Sequence, residues 1–206
     1  MKEILLDDNV SLLPSVHYDL PELLKVCLKT ANSGSDATHL HNLHDLVGEI
    51  YVAPYVLYEP KFAFTLKAKE KAVGYVLGAL DTARFESRLE TEYWPKTRDK
   101  YAKFTEGLTP HDMRLIEKLG KQGFSAPELI AKYPSHLHID IIESHQRLGY
   151  GKLMMKHLLK ELKNFGSIGV HLHMSSSNNR AKVFYEGLDF VEFDVNPHEI
   201  IMGLSF

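Results

Sequence analysis

The sequence predicts a mixed α/β chain, with one sheet that has both parallel and antiparallel parts. Three observations predict it. From Leu137 to Met174 a strand pattern, a helix opened by two glycines and a second strand follow one another. From Phe62 to Leu80 two apolar runs flank a charged turn, the pattern of an antiparallel hairpin. The length of 206 residues, 44% of them hydrophobic, suits one sizeable core with an elaboration and is small for two domains.

Taken in order, Ile4 to Leu6 is a short apolar stretch ahead of a first strand at Val10 to Val16. Asp19 has the chemistry of a helix N-cap, with Pro21 and Glu22 in the first turn of a helix through Leu23, Leu24, Cys27 and Leu28. The polar run Ala31 to Asp36 breaks that helix, and Leu40, Leu43, Val47 and Ile50 repeat at the spacing of a second one. Two helices placed this early either cover the sheet or overhang a pocket. In the hairpin, Phe62, Phe64 and Leu66 alternate, Lys67 to Lys71 form the turn, and Val73 to Leu80 return. Gly74 and Gly78 inside the second run imply a bulge or a close backbone approach.

Residues 82–134 carry no strand pattern and are expected to be a helical insertion. Phe85, Leu89 and Tyr93 recur at helical spacing up to Pro95. Thr109-Pro110 starts a helix through Met113, Ile116 and Leu119 that closes at Gly120. Ser125 and Glu128 have capping-box spacing before Leu129 and Ile130. Its aromatics Tyr93, Trp94, Tyr101 and Phe104 either pack on the body or form a substrate wall or a homodimer surface. After Gly149 a helix is expected with Leu153, Met154, Leu158, Leu162 and Phe165 on one face, ended by Gly166. Ile168 to Met174 is a strand, Ser175 to Asn179 turn and cap material, and Arg180 to Glu186 a short helix. Phe190 to Phe193 and Ile200 to Phe206 are closing strands.

Composition excludes several classes of function. A formal charge of −3 with no basic run gives no electrostatic case for a nucleic-acid partner. No apolar run is long enough to span a bilayer, and the opening MKEILL is too short and acidic for a signal peptide, so a cytoplasmic chain with no membrane partner is expected. The single cysteine, Cys27, lies on an apolar helix face and is expected to be a buried thiol rather than a nucleophile.

The stretch His136 to Lys152 holds the chemistry. A strand running into a glycine-flanked helix start leaves about four N–H groups of the first turn unpaired, at the positive end of the helix dipole, which makes an anion site from backbone alone. Gly149-Tyr150-Gly151 is not a dinucleotide fingerprint, because Met154 stands where the third glycine belongs. It is not a P-loop either, because Leu153 follows Lys152 where a Ser or Thr should bind magnesium.

The hexapeptide Gln146-Arg147-Leu148-Gly149-Tyr150-Gly151 resembles the Q/R-x-x-G-x-G/A signature of the GCN5-related N-acetyltransferases, the GNAT family. Downstream, Asn178, Ala181, Phe184, Tyr185, Gly187 and Phe190 are similar to that family's N-x-x-A-x-x-F-Y-x-x-x-G-F segment, and the order of elements agrees with its fold. Asp189 departs from the glycine usual before the final Phe, a mild change because Asp tolerates a left-handed turn. The run Gly74 to Thr82, with Leu137-His138-Ile139-Asp140, also resembles a subgroup related to the acetyltransferase-like module of eukaryotic O-GlcNAc hydrolases.

The resemblance implies a mostly antiparallel sheet with splayed parallel central strands, helices on both faces and acetyl-CoA as co-substrate. Ile141 and Ile142 would offer main-chain bonds to the pantetheine arm, and the amides from Arg147 to Lys152 would hold the pyrophosphate, with Arg147 and Lys152 adding charge or being solvated. Gln146, Asn178, Ala181 and Phe184 belong to the same cofactor site, and Tyr185 would serve the sulfur. For the base, the central strand offers His138 and Asp140 on one face with Glu143 beyond, and His138 ranks first. The pairs His136/His138 and His171/His173 raise zinc as an alternative, but apart from Asp140 no carboxylate is placed to support it, and no metal is expected. The implied function is acetyl transfer to a primary amine of a small-molecule acceptor. The alternative is a catalytically silent module that binds acyl-CoA or a protein partner.

Overall fold

The apolar runs become strands of one sheet: β1 (Ile4–Asp7), β2 (Val10–Pro14), β3 (Ala63–Ala68), β4 (Lys71–Ala79), β5 (Ser135–Ile141), β6 (Gly169–Ser175), β7 (Val191–Val195) and β8 (Glu199–Ser205). The structure is a computed structural model that describes residues 4–7, 9–121 and 123–206, so Met1 to Glu3 of the opening stretch lie outside the described residues. The strand order is β1-β2-β3-β4-β5-β6-β8-β7. Every neighbouring pair is antiparallel except β5 and β6, as the sequence predicts.

β5 is paired unequally on its two sides. Against β4 the register runs without interruption from Gly74↔Ile141 to Ala79↔His136. Against β6 it holds only at Ser135↔Val170 and His136↔His171, and β6 then pairs with β8 along its full length. The parallel pair is therefore splayed, and from Leu137 to Ile141 one edge of β5 has no strand beside it.

Helices cover both faces. On one, α1 (Leu20–Leu28), α2 (His44–Tyr51) and α3 (Ala53–Tyr58) bury Leu23, Val26, Cys27, Val47 and Val56 against Ala63, Tyr75 and Leu77. Between β4 and β5 the chain forms α4 (Thr82–Glu92), α5 (Trp94–Tyr101), α6 (Pro110–Gly120) and α7 (Pro127–Lys132). Phe85, Leu89, Trp94, Tyr101 and Leu119 from these helices pack on Leu46, Ile50 and Ala79. On the opposite face, α8 (Tyr150–Asn164) buries Met154, Met155, Leu158 and Leu162 against Leu12, Phe64, Leu66, Val76 and Leu137, with α9 (Asn179–Glu186) beside it. Among the described residues no helix is long and apolar enough to cross a membrane.

Several local expectations are corrected. Ile4 to Leu6 is part of a strand of its own, β1. The second expected helix is shorter than its spacing suggests: Leu40 ends a separate 3-10 turn, Leu43 takes the cap position and only Val47 and Ile50 lie in α2. Pro54 opens a further helix, α3, that the sequence reading did not foresee. The run through Phe85 and Leu89 does end ahead of Pro95, with Tyr93 as the C-cap of α4, but Pro95 then opens a further helix, α5. Asp19 occupies the cap position of α1, yet its carboxylate accepts from the Val16 N–H at 2.9 Å and pairs with Lys67 at 2.7 Å. The Ser125 capping box does not form, because its hydroxyl donates to Glu86 at 2.6 Å. On α8 the buried stripe takes Met155 and leaves Leu153 45% and Phe165 50% exposed. The aromatics of the insertion also divide: Trp94 and Tyr101 are buried, and Phe104 is exposed.

The glycines of β4 mark both features expected of them. The register moves from Leu66↔Gly74 to Lys67↔Ala72, so Val73 is an extra bulged residue. A Cβ on Gly74 would stand 2.8 Å from the Asp140 carbonyl oxygen.

Candidate active site

The open edge of β5 and the start of α8 line the same cleft, each with stretches of unpaired backbone. After β5 the chain makes a short turn and enters the loop Gln146 to Gly149 with positive φ at Arg147 (63°) and Gly149 (87°). Among the described residues, the N–H groups from Arg147 to Lys152 find no backbone acceptor, as a helix start requires of its first turn. Successive N–H groups curled by left-handed residues form a nest for an anion, and the helix dipole adds to it. The two glycines serve different ends here. Gly149 has open space where a Cβ would go and is required by its φ, whereas a Cβ on Gly151 would meet the Phe184 ring at 3.3 Å.

A cleft of about 790 Å³ runs along this surface, within the ~300–1,000 Å³ usual for small-molecule sites. His138, Asp140, Ile141, Gln146, Arg147, Gly149, Gly151, Lys152, Asn178, Ala181, Phe184 and Tyr185 all line it. Leu148 and Tyr150 do not line it. Leu148 is exposed, and the Tyr150 side chain is buried with its hydroxyl on Asp7. Ile142 is a correction: it does not line the cleft, and its N–H donates to the Val73 carbonyl in the β4 bulge at 2.9 Å. Its carbonyl accepts from the His145 N–H in the following turn at 2.9 Å, so both groups expected to meet the pantetheine already have partners.

Two predicted residues, Gln146 and Asn178, hold the cleft's walls in place. The Gln146 amide donates to the Gly34 carbonyl at 2.9 Å and the Ile141 carbonyl at 2.6 Å, and its oxygen accepts from Arg180. Asn178 caps α9 by accepting from the Ala181 N–H at 3.0 Å, which leaves its amide nitrogen as the group able to reach the cleft. Arg147, Lys152 and Arg180 give the cleft three cationic side chains.

Tyr185 is only 9% exposed, lines the cleft, and has no hydrogen-bond partner for its hydroxyl among the described residues. An orphaned buried hydroxyl carries a desolvation cost, which a ligand atom in the cleft would relieve. Burial, reinforced by the charge of Asp140, pushes the phenol upward, so it keeps its proton at neutral pH and acts as a donor. Across the cleft, His138 Nε2 lies 2.8 Å from Asp140 Oδ2, and the buried Tyr75 donates to the same oxygen at 2.6 Å.

His138 also lines a second cavity of about 290 Å³, which shares Tyr51, Leu137, Leu172 and His173 with the cleft. Its remaining wall includes Tyr55, Phe85 and Trp94, so the insertion encloses this side. His136 and His171 lie here as register partners. Burial holds His136 well down, and His171 falls to about 4 for the same reason, so both are neutral at pH 7. His136 bonds Thr82 at 2.8 Å, His171 bonds the Tyr133 carbonyl at 2.8 Å, and His173 pairs with Glu199 at 3.1 Å. Among the described residues no group of three or more His, Cys, Asp or Glu side chains is placed to hold a metal ion.

Tyr75, Tyr51 and Arg180 are site residues that sequence reasoning missed. The hairpin containing Tyr75 was legible, but its contact with Asp140 depends on the β4–β5 register, which the insertion separates from any local signal. Cys27 is buried as expected, and its thiol is pushed far up by burial.

Comparison with known proteins agrees with this geometry. Residues 113–190 match the model of the Acetyltransferase (GNAT) family. The crystal structure of a protein named SsHAT superposes with a TM-score of 0.84 at 32% identity, over 96% of this chain and 98% of that one. The PaiA N-acetyltransferase from Thermoplasma acidophilum, solved with coenzyme A, shares the fold with a TM-score of 0.59 at 12% identity, over 96% of this chain and 99% of that one. Protein O-GlcNAcase of Rattus norvegicus is 24% identical over 181 residues, which is 87% of this chain. The chain spans about a fifth of that relative's length, and the match bears out the resemblance seen in the sequence. With the splayed parallel pair, the glycine loop at the start of α8 and these relatives together, the chain belongs to the GNAT family of acetyltransferases.

Proposed function

We propose that this chain is an acetyl-CoA-dependent N-acetyltransferase that acts on a primary amine of a small molecule by direct attack on the thioester. The observation that supports this most is the position of His138, on the wall common to two cavities. One cavity contains the anion loop, the open β5 edge and the Tyr185 hydroxyl, and the other is enclosed by the insertion. The chain's features fit acetyl-CoA on structural grounds: unpaired amides for a pyrophosphate, an unpaired strand edge for an amide-bearing arm, and an unpartnered phenol for a sulfur.

The residues then divide the work. The amides from Arg147 to Lys152, with Lys152 and Arg147 beside them, bind and orient. His138, held by Asp140, takes the proton of the attacking amine as the N–C bond forms and the C–S bond breaks. Tyr185 donates a hydrogen bond, or its proton, to the departing sulfur. The acceptor occupies the second cavity, between Tyr51, Tyr55 and Phe85. Bonds to a group that is charged only late in the reaction lower the barrier rather than merely tightening binding.

The test combines binding with turnover. Acetyl-CoA is expected to raise the melting temperature, and free thiol is expected to appear with a panel of primary amines. Tyr185→Phe should slow thiol release about 100-fold, or about 2.7 kcal/mol, while leaving the melting shift intact. A melting shift with no thiol release from any amine would make the chain a silent binding module. No melting shift at all would remove both readings.

A further inference from the structure

Tyr75 is buried to 0% exposure and stands directly across from Asp140 in the β4–β5 register, with its ring among Leu23, Val26, Val47 and Leu77. Its hydroxyl is 2.6 Å from Asp140 Oδ2, His138 Nε2 is 2.8 Å from that same oxygen, and the hydroxyl and Nε2 are 3.2 Å apart. Three polar atoms this close permit few proton arrangements. Burial, with the charge of Asp140 adding to it, keeps the proton on the phenol, so Tyr75 donates. If Nε2 carried a lone pair, it would face the carboxylate oxygen at 2.8 Å with no proton between them. Nε2 therefore carries a proton and donates to Oδ2, and the two donors share one acceptor.

We infer that Tyr75 is a positioning residue: by donating to Asp140 it fixes that carboxylate as the acceptor of the His138 Nε2 proton, and so leaves Nδ1 as the lone pair that receives the amine's proton. The inference rests on the proposed function only in its last step. The proton arrangement itself follows from the buried triad.

Among the described residues, the surroundings do not supply a competing charge in contact with the imidazole. On β5 itself the titratable neighbours are His136, held neutral by burial, and Asp140. From α2 comes Tyr51, whose ring centre is 5.9 Å from that of His138 and whose hydroxyl accepts from Lys118. From β6 comes His173, paired with Glu199 of β8. Cys27 of α1 lies against the Tyr75 hydroxyl, and Tyr185 of α9 faces Asp140, both pushed upward by burial and so uncharged at neutral pH. Among the described residues, Asp140 is thus the one formal charge hydrogen-bonded to His138.

The experiment is nitrogen-15 NMR of histidine-labelled full-length protein titrated with pH, with His138→Gln identifying the resonances. In the unaltered protein, neutral His138 is expected as the Nε2–H tautomer. In Tyr75→Phe, Asp140 loses one donor and holds the imidazolium more tightly, so the titration midpoint of His138 should move up by about half a unit to one unit. Asp140→Asn should move it down. The acid limb of thiol release from acetyl-CoA and the amine panel should follow the Tyr75→Phe shift. A neutral His138 bearing its proton on Nδ1, or a midpoint unmoved in Tyr75→Phe, overturns the inference. If Tyr75→Phe does not fold by circular dichroism, the tautomer and the Asp140→Asn shift decide. If the tautomer and midpoints behave as stated but the acid limb does not follow them, His138 is not the proton acceptor, and only the proposed function is lost.

Discussion

The two ends of β5 contrast within seven residues. At His136 the strand is paired on both sides and at Ser135 with β6, and the groups there are uncharged: buried Ser135, half-buried His136 and, across the parallel register, buried His171. From Leu137 to Ile141 it is paired with β4 alone, and the edge facing the cleft is open backbone. The pinned end fixes where the splay begins, and the open end supplies the hydrogen-bonding groups of the cleft. A family site of this kind needs both, because an edge open along its whole length would have nothing to hold the parallel strands in register.

The pinned end should be the easier to break, and acid should break it. His171 titrates near 4 in the folded chain because of burial, against an ordinary value of 6.5. Its folded value is depressed, so the unfolded chain binds more protons across that interval. The stability is fully present above about pH 6.5 and is lost as pH falls to about 4. The single group accounts for about 3 kcal/mol at most, and His136, shifted the same way, adds to the slope. Melting temperatures measured from pH 7 to pH 4 should fall steeply in this window. His171→Asn, whose amide can still donate to the Tyr133 carbonyl, should flatten the fall. An unchanged slope in that variant would place the acid-sensitive groups elsewhere.

Sequence legibility followed the same division. The cleft side was readable because its chemistry is local: Gly149 needs a left-handed φ, Asn178 caps the helix it precedes, and Asp189 adopts a φ of 66°, as its substitution for glycine requires. The side of the second cavity was not, because its parts meet only through tertiary register. Tyr75 and Asp140 are brought together by strand pairing, Tyr51 and His138 by packing of α2 on the sheet, and Ser125 and Glu86 by a hydrogen bond that displaced the expected cap. The same limit explains Ile142. Its place at the strand's end was legible, but a bulge at Val73, far away in sequence, decides that its N–H is already spent.

At the open end, Gly149→Ala tests whether the anion loop depends on conformation or on space. A Cβ there meets nothing, so the cost is purely that of holding an L-residue at φ 87°, about 1–2 kcal/mol. The loop is expected to relax toward negative φ and turn its amides away. Acetyl-CoA affinity, measured by titration calorimetry, should therefore fall about 10-fold, with a smaller loss of melting temperature in the free protein. Equal affinity in the variant would show that the amides from Arg147 to Lys152 do not depend on the left-handed turn.

The smallest effect concerns where the open edge ends. The Ile141 carbonyl belongs to that edge, yet the Gln146 amide already donates to it at 2.6 Å while also reaching Gly34 and accepting from Arg180. Gln146 thus closes the last residue of the edge with a side chain instead of a strand, and ties the α1–α2 loop to α9. Gln146→Ala removes these bonds from a half-exposed site where water can replace them. The free protein should lose about 1 kcal/mol. The variant also frees the Ile141 carbonyl to accept from whatever lies along β5, so saturating acetyl-CoA should recover part of the lost stability. Thermal melts with and without acetyl-CoA separate the two roles. An identical loss in both would show that Gln146 braces the loop and α9 without limiting the edge, and the open stretch of β5 would then stop at Asp140.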